Sequence, residues 1–310
     1  MKYCFGVDIG GTTVKLGLFT TDGQLEDKWE IPTRRENHGE QVPADIAEAI
    51  ALKLTERGIS RTDVTGVGIG VPGPVTPDGT VMKCANLGWG IFNVNARMSE
   101  LTGLKCVAGN DANVAALGEL WKGGAQGAKS MVFITLGTGV GGGIVSEGQI
   151  IAGMHGGGGE IGHIVVNPSE TDVCGCGGHG HLEQYASATG VVRVAKKLLA
   201  ASDKDSSLRA IDPLTAKDVF DMAKAGDSLA LEAVDTMCMY LAQALSGVGA
   251  TVDPEVYVIG GGVSRAGTII TDGVRKHFDA NNLNVLCGRE FRLAELGNDA
   301  GIYGAAYMTL

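Results

Sequence analysis

The sequence predicts an α/β protein made of two related halves, and three features of the chain support this prediction. The chain has 310 residues, more than the roughly 250–300 residues at which a single hydrophobic core stops growing. Many of its 49 glycines stand in short runs, which mark tight backbone turns. Two strand–turn–strand units also resemble each other, around Ile9-Gly10-Gly11-Thr12 and Leu136-Gly137-Thr138-Gly139. We interpret them as a diverged internal repeat with a phosphate-facing turn in each half.

Apolar runs that end at glycine or proline predict the strands. In chain order the strands are residues 3–9, 14–19, 64–71, 104–108, 130–136, 141–145 and 256–259. Apolar residues at helical spacing, such as Ile46, Ile50 and Leu54, predict the helices. In chain order the helices are residues 43–57, 112–121, 188–201, 215–225, 228–248 and 299–310. Thr215 and Asp218 have the spacing of a capping box at the start of their helix.

Three glycine turns at strand ends predict a nucleotide site: Gly10-Gly11-Thr12, Gly137-Thr138-Gly139 and Gly260-Gly261-Gly262. Glycine lets the backbone approach a ligand closely, and backbone N–H groups bind phosphate without net positive charge. The chain has neither Walker spacing nor G-x-G-x-x-G after its first strand. This combination predicts an actin-like ATPase (ribonuclease H-like) fold, with two α/β domains around a central cleft that holds ATP.

Side chains and glycines of these turns are the candidate cofactor-binding residues. They are Asp8, Gly10, Gly11, Thr12, Lys15, Thr138, Gly139, Gly261 and Gly262. We expect Asp8 to hold Mg²⁺ through water, because hard cations prefer oxygen ligands. The alternative for the first turn is a plain tight hairpin.

The composition excludes several classes of function. A formal net charge of −10 argues against nucleic acid, which is bound through clustered lysine and arginine. The apolar run at the N-terminus is too short for a signal peptide, and no apolar stretch of about 18 residues follows. We therefore expect a cytoplasmic protein without a membrane partner. Seven cysteines, an odd number, fit reduced thiols and a metal site better than a disulfide framework.

Asp111 is the candidate general base. It follows a strand and opens a helix, where the helix dipole keeps a carboxylate ionised. An ionised carboxylate can accept a hydroxyl proton as the oxygen attacks phosphorus. Asn110 beside it could bond a sugar hydroxyl. The alternative is a structural role, since Asp is a favoured helix N-cap.

Between Glu160 and Glu183 the chain concentrates metal ligands and carboxylates. A tetrahedral N₂S₂ set is available from His163, Cys174, Cys176 and His181. His179 is a rival to His181, because spacing cannot choose between them. We expect a structural metal, since the motif supplies no open position. Glu160 and Glu183 flank the ligands and could accept hydrogen bonds from a polyol. The alternatives are free cysteines with surface histidines, and solvated surface carboxylates.

The domain boundary follows from the repeat and falls near Asp111. We expect residues 1–111 to form the smaller domain, completed by the C-terminal helix at about residues 299–310. Residues 112–298 are expected to form the larger domain, which contains the candidate metal loop between Glu160 and Glu183 and most of the nucleotide site.

Several motifs together resemble the ROK family (repressors, open reading frames and sugar kinases). The resemblance runs from Asp8 to about Gly304 and is closest to the bacterial ATP-dependent glucokinases. The motifs are Asp8-Ile9-Gly10-Gly11-Thr12, Gly70-Val71-Pro72-Gly73-Pro74, Asn86-Leu87-Gly88-Trp89, Asn110-Asp111-Ala112-Asn113, Glu160-Ile161-Gly162-His163 and Cys174-Gly175-Cys176-Gly177.

The resemblance implies Asp111 as general base, Mg-ATP, structural zinc and a homodimer. It also implies that the sugar is contacted by Asn86, Asn110, Glu160, His163 and Glu183. His163 would serve the metal through one nitrogen and the sugar through the other. The chain departs from the family pattern at His181, which stands where the third cysteine of the zinc motif belongs. Histidine ligates zinc well, so we expect zinc to be retained with changed affinity.

The expected reaction is transfer of the ATP γ-phosphate to the 6-hydroxyl of glucose. One alternative is a related kinase for N-acetylmannosamine, N-acetylglucosamine or fructose, which shares nearly every motif. Another is a sugar-binding regulator without kinase activity, which would need a DNA-binding segment ahead of the first strand. Only seven residues precede Asp8, so we do not favour the regulator.

Overall fold

Apolar segments form the strands of the computed structural model, which describes residues 2–82, 84 and 87–310. The strands are β1 Tyr3–Ile9, β2 Thr13–Thr20, β3 Leu25–Pro32, β4 Val64–Val71, β5 Thr80–Val81, β6 Phe92–Asn93, β7 Cys106–Asn110, β8 Met131–Leu136, β9 Val140–Ser146, β10 Gln149–Ile150, β11 Val256–Gly260 and β12 Glu290–Leu293. The helices are α1 Val42–Arg57, α2 Val94–Thr102, α3 Asp111–Lys122, α4 Glu183–Ala186, α5 Ala188–Ala201, α6 Ala216–Lys224, α7 Ser228–Val252, α8 Thr268–Asn281 and α9 Ala300–Tyr307.

The chain divides into two compact units. Unit 1 comprises Met1–Lys129, Gly143–Gly159 and Leu296–Leu310, and unit 2 comprises Ser130–Gly142 and Glu160–Glu295. The division therefore falls later than residue 111, where the repeat placed it. The physical reason is that α3 packs against α9, so that it belongs with the first sheet.

Unit 1 is built on a sheet of strand order β3-β2-β1-β4-β7. β1, β4 and β7 are parallel, with Asp8 beside Gly70 and Gly70 beside Gly109. The segments that follow these three strands therefore leave the sheet at one edge. Such an edge is where open α/β sheets bind ligands.

The sheet of unit 1 is covered on both faces. On one face, Phe5 and Ile69 pack with side chains of α1 and α2, including Ile46 and Met98. The other face receives α9, whose Ile302 belongs to a separate buried cluster. Both clusters exclude water and so fix the sheet between its helices.

Backbone, not side chains, forms the closest contacts of α9. A Cβ atom added to Gly68 of β4 would lie 1.7 Å from the carbonyl oxygen of Ala305. A Cβ atom added to Gly304 would lie 1.7 Å from the carbonyl oxygen of Val114 in α3. Glycine at these positions lets α9 lie directly on the sheet and on α3.

The second sheet has the strand order β10-β9-β8-β11-β12, and its strands β8, β11 and β12 belong to unit 2. β11 runs parallel to β8 on one side and to β12 on the other. Gly260 lies beside Thr135 in this register, so the turns after β8 and β11 share an edge of the sheet. The long helix α7 packs against α5, α6 and α8.

The structure confirms most predicted elements, with shifts of one or a few residues at their ends. The strand predicted at 104–108 begins and ends two residues later as β7, because its pairing with β4 extends to Asn110 opposite Val71. Thr215 and Asp218 form the predicted capping box. Among the described residues, the longer elements β3, α2 and α8 were not predicted, nor were the four-residue β12 and α4. Within the described part of the chain, every helix is too short or too polar to cross a membrane.

Gly304→Ala should lower the stability of the protein, because the new Cβ would meet the backbone of Val114 and backbone cannot move aside cheaply. We expect the free energy of unfolding to fall by about 1–3 kcal/mol or more, measured by urea denaturation followed by circular dichroism. The matched control is Gly247→Ala in α7, where no atom lies within 4 Å of the new Cβ. There we expect a gain of up to about 1 kcal/mol. Equal stability of Gly304→Ala and wild type would contradict the close contact.

Candidate functional site

At the edge of the unit 1 sheet, Asp8 is a half-buried carboxylate beside Lys15. The two residues face each other across β1 and β2. Burial raises the pKa of Asp8 above its ordinary value, and the positive charge of Lys15 opposes this only in part. Desolvation of this kind disfavours the negative charge, which a nearby cation would stabilise. The arrangement therefore suits an oxygen donor to a hard cation.

The first glycine turn is closed and anchored by hydrogen bonds. The amide of Gly10 donates to the carbonyl of Thr13 at 3.0 Å. The hydroxyl of Thr33 donates to the carbonyl of Gly10 at 2.7 Å, and the amide of Thr33 donates to the carbonyl of Thr12 at 2.9 Å. Thr12 itself is exposed. The backbone of this turn is thus held in place while its outer surface stays accessible.

The N-cap of α3 is Asn110 and not Asp111. The Asn110 side chain accepts a hydrogen bond from the amide of Asn113 at 3.1 Å and donates to the carbonyl of Gly73 at 3.1 Å. Asp111 is the first helical residue, and its carboxylate accepts from the amide of Ala112 at 2.8 Å. The structural role of a cap therefore falls on Asn110, and the Asp111 carboxylate lies at the positive end of the helix dipole.

Asn113 is a site neighbour that the sequence analysis gave no role. It is buried, and its side-chain amide donates to the carbonyl of Gly158 at 3.4 Å. Its side-chain oxygen is buried and has no hydrogen-bond partner among the described residues. The only sequence signal is its position three residues after the N-cap. Asn86, a predicted sugar contact, lies outside the described residues.

In unit 2 the two remaining glycine turns lie at neighbouring strand ends. A Cβ atom added to Gly261, whose φ is +85°, would lie 2.5 Å from the carbonyl oxygen of Leu136. The turn after β8 is fixed from α5, since the Thr189 hydroxyl donates to the carbonyl of Thr138 at 2.9 Å. Thr138, Gly139, Gly261 and Gly262, the residues of these two turns, therefore lie at one edge of the sheet.

The predicted metal ligands also come together in unit 2. His163, Cys174, Cys176 and His181 each offer one ligand atom, and these atoms lie within 4.8 Å of one another. The Cys176 sulfur lies 3.2 Å from Nδ1 of His181. Tetrahedral zinc with ordinary bond lengths needs ligand atoms about 3.3–3.8 Å apart. Small side-chain movements would therefore make the four groups a zinc site, and the N₂S₂ set suits that ion.

The structure also shows which of the two candidate histidines lies with the other predicted metal ligands. His181 forms a bridge with Val165 and belongs to the cluster, whereas His179 forms a bridge with Val173. The Nδ1 atom of His179 lies 3.3 Å from the carbonyl oxygen of Asp172. His181 is therefore the fourth member of the cluster.

Glu183 lies between the cluster of candidate metal ligands and the glycine turn after β8. Its Oε1 atom accepts a hydrogen bond from the Cys174 thiol at 2.9 Å. Burial, with help from this hydrogen bond, raises the pKa of Cys174 to about 11. On its other side, Glu183 Oε2 lies 2.6 Å from the Cβ position that Gly139 leaves empty. One carboxylate thus lies between the turn after β8 and the cluster.

Glu160 approaches the cluster from the side of His163. Its Oε2 atom lies 4.0 Å from Nε2 of His163, and both side chains are partly exposed. A cavity of about 550 Å³ in unit 2 is bordered by the turn after β8, the metal loop and the start of α5. Among its lining residues are Thr138, Gly139, Cys174, Glu183 and Arg193. The cavity is large enough for a small polar ligand.

Comparisons with known proteins agree with this geometry. The ROK family profile matches residues 4–310. A glucokinase of Halalkalibacterium halodurans is 45% identical over 314 residues, covering 99% of this chain and 94% of its own length. An N-acetylmannosamine kinase of Escherichia fergusonii is 32% identical, covering 97% of this chain and 96% of its own. The crystal structure of a ROK family glucokinase from Streptomyces griseus, in complex with glucose and AMPPNP, matches with a TM-score of 0.75 and 32% identity, covering 99% of this chain and 98% of that chain.

Proposed function

Because the chain belongs to the ROK family, we propose that it is a glucokinase, which transfers the γ-phosphoryl group of ATP to the 6-hydroxyl of glucose. The observation that carries the proposal is the position of Glu183, between the turn at Gly139 and the metal cluster. A polyol bound to this carboxylate would lie next to a phosphate-binding turn. Glucose is favoured over other sugars by the 45% identity to a glucokinase, against 32% to an N-acetylmannosamine kinase.

Asp111 is the proposed general base. It accepts the proton of the 6-hydroxyl as that oxygen attacks the γ-phosphorus, and ADP leaves on the opposite side. The helix dipole of α3 favours the ionised carboxylate that this step needs. Asn110 holds the start of α3 to Gly73, which keeps Asp111 in one position. The hydrogen bonds to Asn113 and Gly73 use one acceptor position and one donor position of the Asn110 side chain. Its remaining positions can bind a sugar hydroxyl.

The nucleotide is proposed to bind through backbone amides of the glycine turns: Gly10, Gly11, Thr12, Thr138, Gly139, Gly261 and Gly262. Lys15 and Asp8 lie beside the first of these turns. Asp8 fits a Mg²⁺ ion held through water, because its buried negative charge is only partly offset by Lys15. Mg²⁺ there would neutralise charge on the phosphates.

The cluster of His163, Cys174, Cys176 and His181 is proposed to hold structural zinc. Four protein ligands would leave no open position, so the ion would brace the loop and take no part in the chemistry. The loop in turn presents Glu160, His163 and Glu183, which together with Asn86 and Asn110 from elsewhere in the chain are the proposed sugar contacts. We further propose a cytoplasmic homodimer, as the family resemblance implies.

A coupled assay with ATP over a panel of sugars tests the function. We expect kcat/KM for glucose to exceed that for N-acetylmannosamine, N-acetylglucosamine and fructose by at least about tenfold, or about 1.4 kcal/mol in transition-state binding. Faster turnover of an N-acetyl sugar would support the sibling kinase instead. Tight sugar binding without ATP turnover would support the regulator.

Asp111→Asn should lower kcat for glucose by about 10²–10⁴-fold, because the amide cannot accept the proton. Glucose affinity, measured by calorimetry, should stay within about threefold of wild type. The matched control is Asp45→Asn, which removes a carboxylate from the first turn of α1 in the same unit. Near-normal turnover of Asp111→Asn would show that another group is the base.

Zinc should remain bound to the chelator-washed protein at about one equivalent per chain, measured by elemental analysis. Cys176→Ser should lose most of it, because the hydroxyl is a poor zinc ligand. Cys287→Ser is the matched control, since Cys287 is a half-buried cysteine of the same unit outside the cluster. Less than about half an equivalent in the wild-type protein would exclude the zinc site.

A further inference from the structure

We propose that Arg193 is a positioning residue for the metal loop: its guanidinium joins the two ends of the ligand-bearing segment and so sets zinc retention and the orientation of Glu183. The inference rests on the zinc and sugar sites proposed above. Arg193 lies on α5, outside the Glu160–Glu183 segment, and the reaction chemistry does not use it.

Each of the three guanidinium nitrogens of Arg193 binds a different residue in the metal loop or directly after it. Nη2 donates to Glu170 Oε2 at 2.6 Å, and Nη1 donates to Asp172 Oδ2 at 2.7 Å. Nε donates to the carbonyl of Gln184 at 3.1 Å. Cys174, Cys176 and His181 all lie between residues 172 and 184. One side chain therefore holds both ends of the segment that carries three of the four metal ligands.

Glu170 is the fixed point to which Arg193 binds. Its side chain is only 6% exposed, and it accepts hydrogen bonds from the Tyr185 hydroxyl at 2.6 Å and from the amides of Thr171 and Asp172. Burial alone would raise the pKa of Glu170, but these hydrogen bonds and the Arg193 charge hold it well below its usual range. A buried carboxylate with this many donors is a rigid anchor.

The link from Arg193 to the ligands passes through Gln184. The Gln184 side chain accepts from the amide of His181 at 3.0 Å and donates to the carbonyl of Asp172 at 2.9 Å. Its backbone carbonyl is the one that Arg193 holds. Gln184 also follows Glu183 directly, so a movement of its backbone would move the carboxylate that lies against Gly139. Arg193 thus acts on a metal ligand and on a sugar contact through the same residue.

Lysine cannot replace this arginine in its full role. The planar guanidinium presents donors in a fixed fork, whereas an ammonium is a single flexible charge. Arg193→Lys would keep the charge near Glu170 and lose at least part of the bond to Gln184. Lys197 already lies 3.4 Å from Glu170 and 2.8 Å from Asp172. Since its contacts end at these two carboxylates, it cannot hold the far end of the segment.

The test compares Arg193→Lys with Arg209→Lys. Arg209 also uses all three nitrogens, but on the carbonyls of Leu199, Ser202 and Lys204, away from the metal loop. Zinc release to a chelator is followed with a colorimetric reporter, below the unfolding temperature of each variant. We expect Arg193→Lys to release zinc about 10- to 100-fold faster than wild type, as for other residues that orient metal ligands. Arg209→Lys should release zinc at the wild-type rate.

Glucose kinetics provide a second readout that general destabilisation would not give. Arg193→Lys should shift Glu183, a proposed sugar contact, but not Asp111, the proposed base, which lies in unit 1. KM for glucose should therefore rise about fivefold or more while kcat stays within about threefold. If Arg193→Lys does not fold, Glu170→Gln carries the same test from the other side of the ion pair. Zinc release and KM equal to those of Arg209→Lys would overturn the role of Arg193. A wild-type protein without zinc would instead overturn the zinc site itself.

Discussion

The backbone contact between α9 and the sheet of unit 1 holds α3, β4 and Asp8 together. Gly68 and Gly304 remove the side chains that would hold α9 away, so its backbone touches β4 and α3 directly. The start of α9 then reaches Asp8: a Cβ atom at Gly301 would lie 2.7 Å from the Asp8 carboxyl carbon. The close approach thus adds α9 as a second support for α3, whose start already follows β7 and is held to Gly73 by Asn110.

In unit 2, polar contacts and not backbone packing hold the side chains of the candidate site in place. Its candidate site lies largely on a loop, and a loop holds side chains precisely only when other groups brace it. The bracing comes from polar contacts: the ion pair between Glu170 and Arg193, and the proposed metal site at Cys174. Glu183 stands next to both and against Gly139. Backbone packing thus organises one unit, and buried charge together with the four candidate metal ligands organises the other.

Much of the fold could be predicted from the sequence, because its strands and helices have clear apolar periodicity. β3 was missed, since its residues are largely polar and only partly buried, as in an edge strand. α2 and α8 were missed for the same reason: their composition is polar, and their stability comes from packing.

Within the candidate site, residue types were predictable and partners were not. Asn110 and Asp111 are both good helix caps, so only the backbone angles decide that Asn110 is the cap. His179 and His181 are separated by strand pairing, which spacing does not encode. The ion pair of Arg193 with Glu170 joins residues far apart in sequence.

Because unit 1 is discontinuous in sequence, its last segment is synthesised after most of unit 2. Residues 296–310 supply α9, which covers one face of the unit 1 sheet, yet the ribosome makes them after residues 160–295. One face of the unit 1 sheet therefore stays uncovered until unit 2 has been synthesised. Apolar surface that stays uncovered during translation is prone to aggregate, and chaperones bind surfaces of this kind.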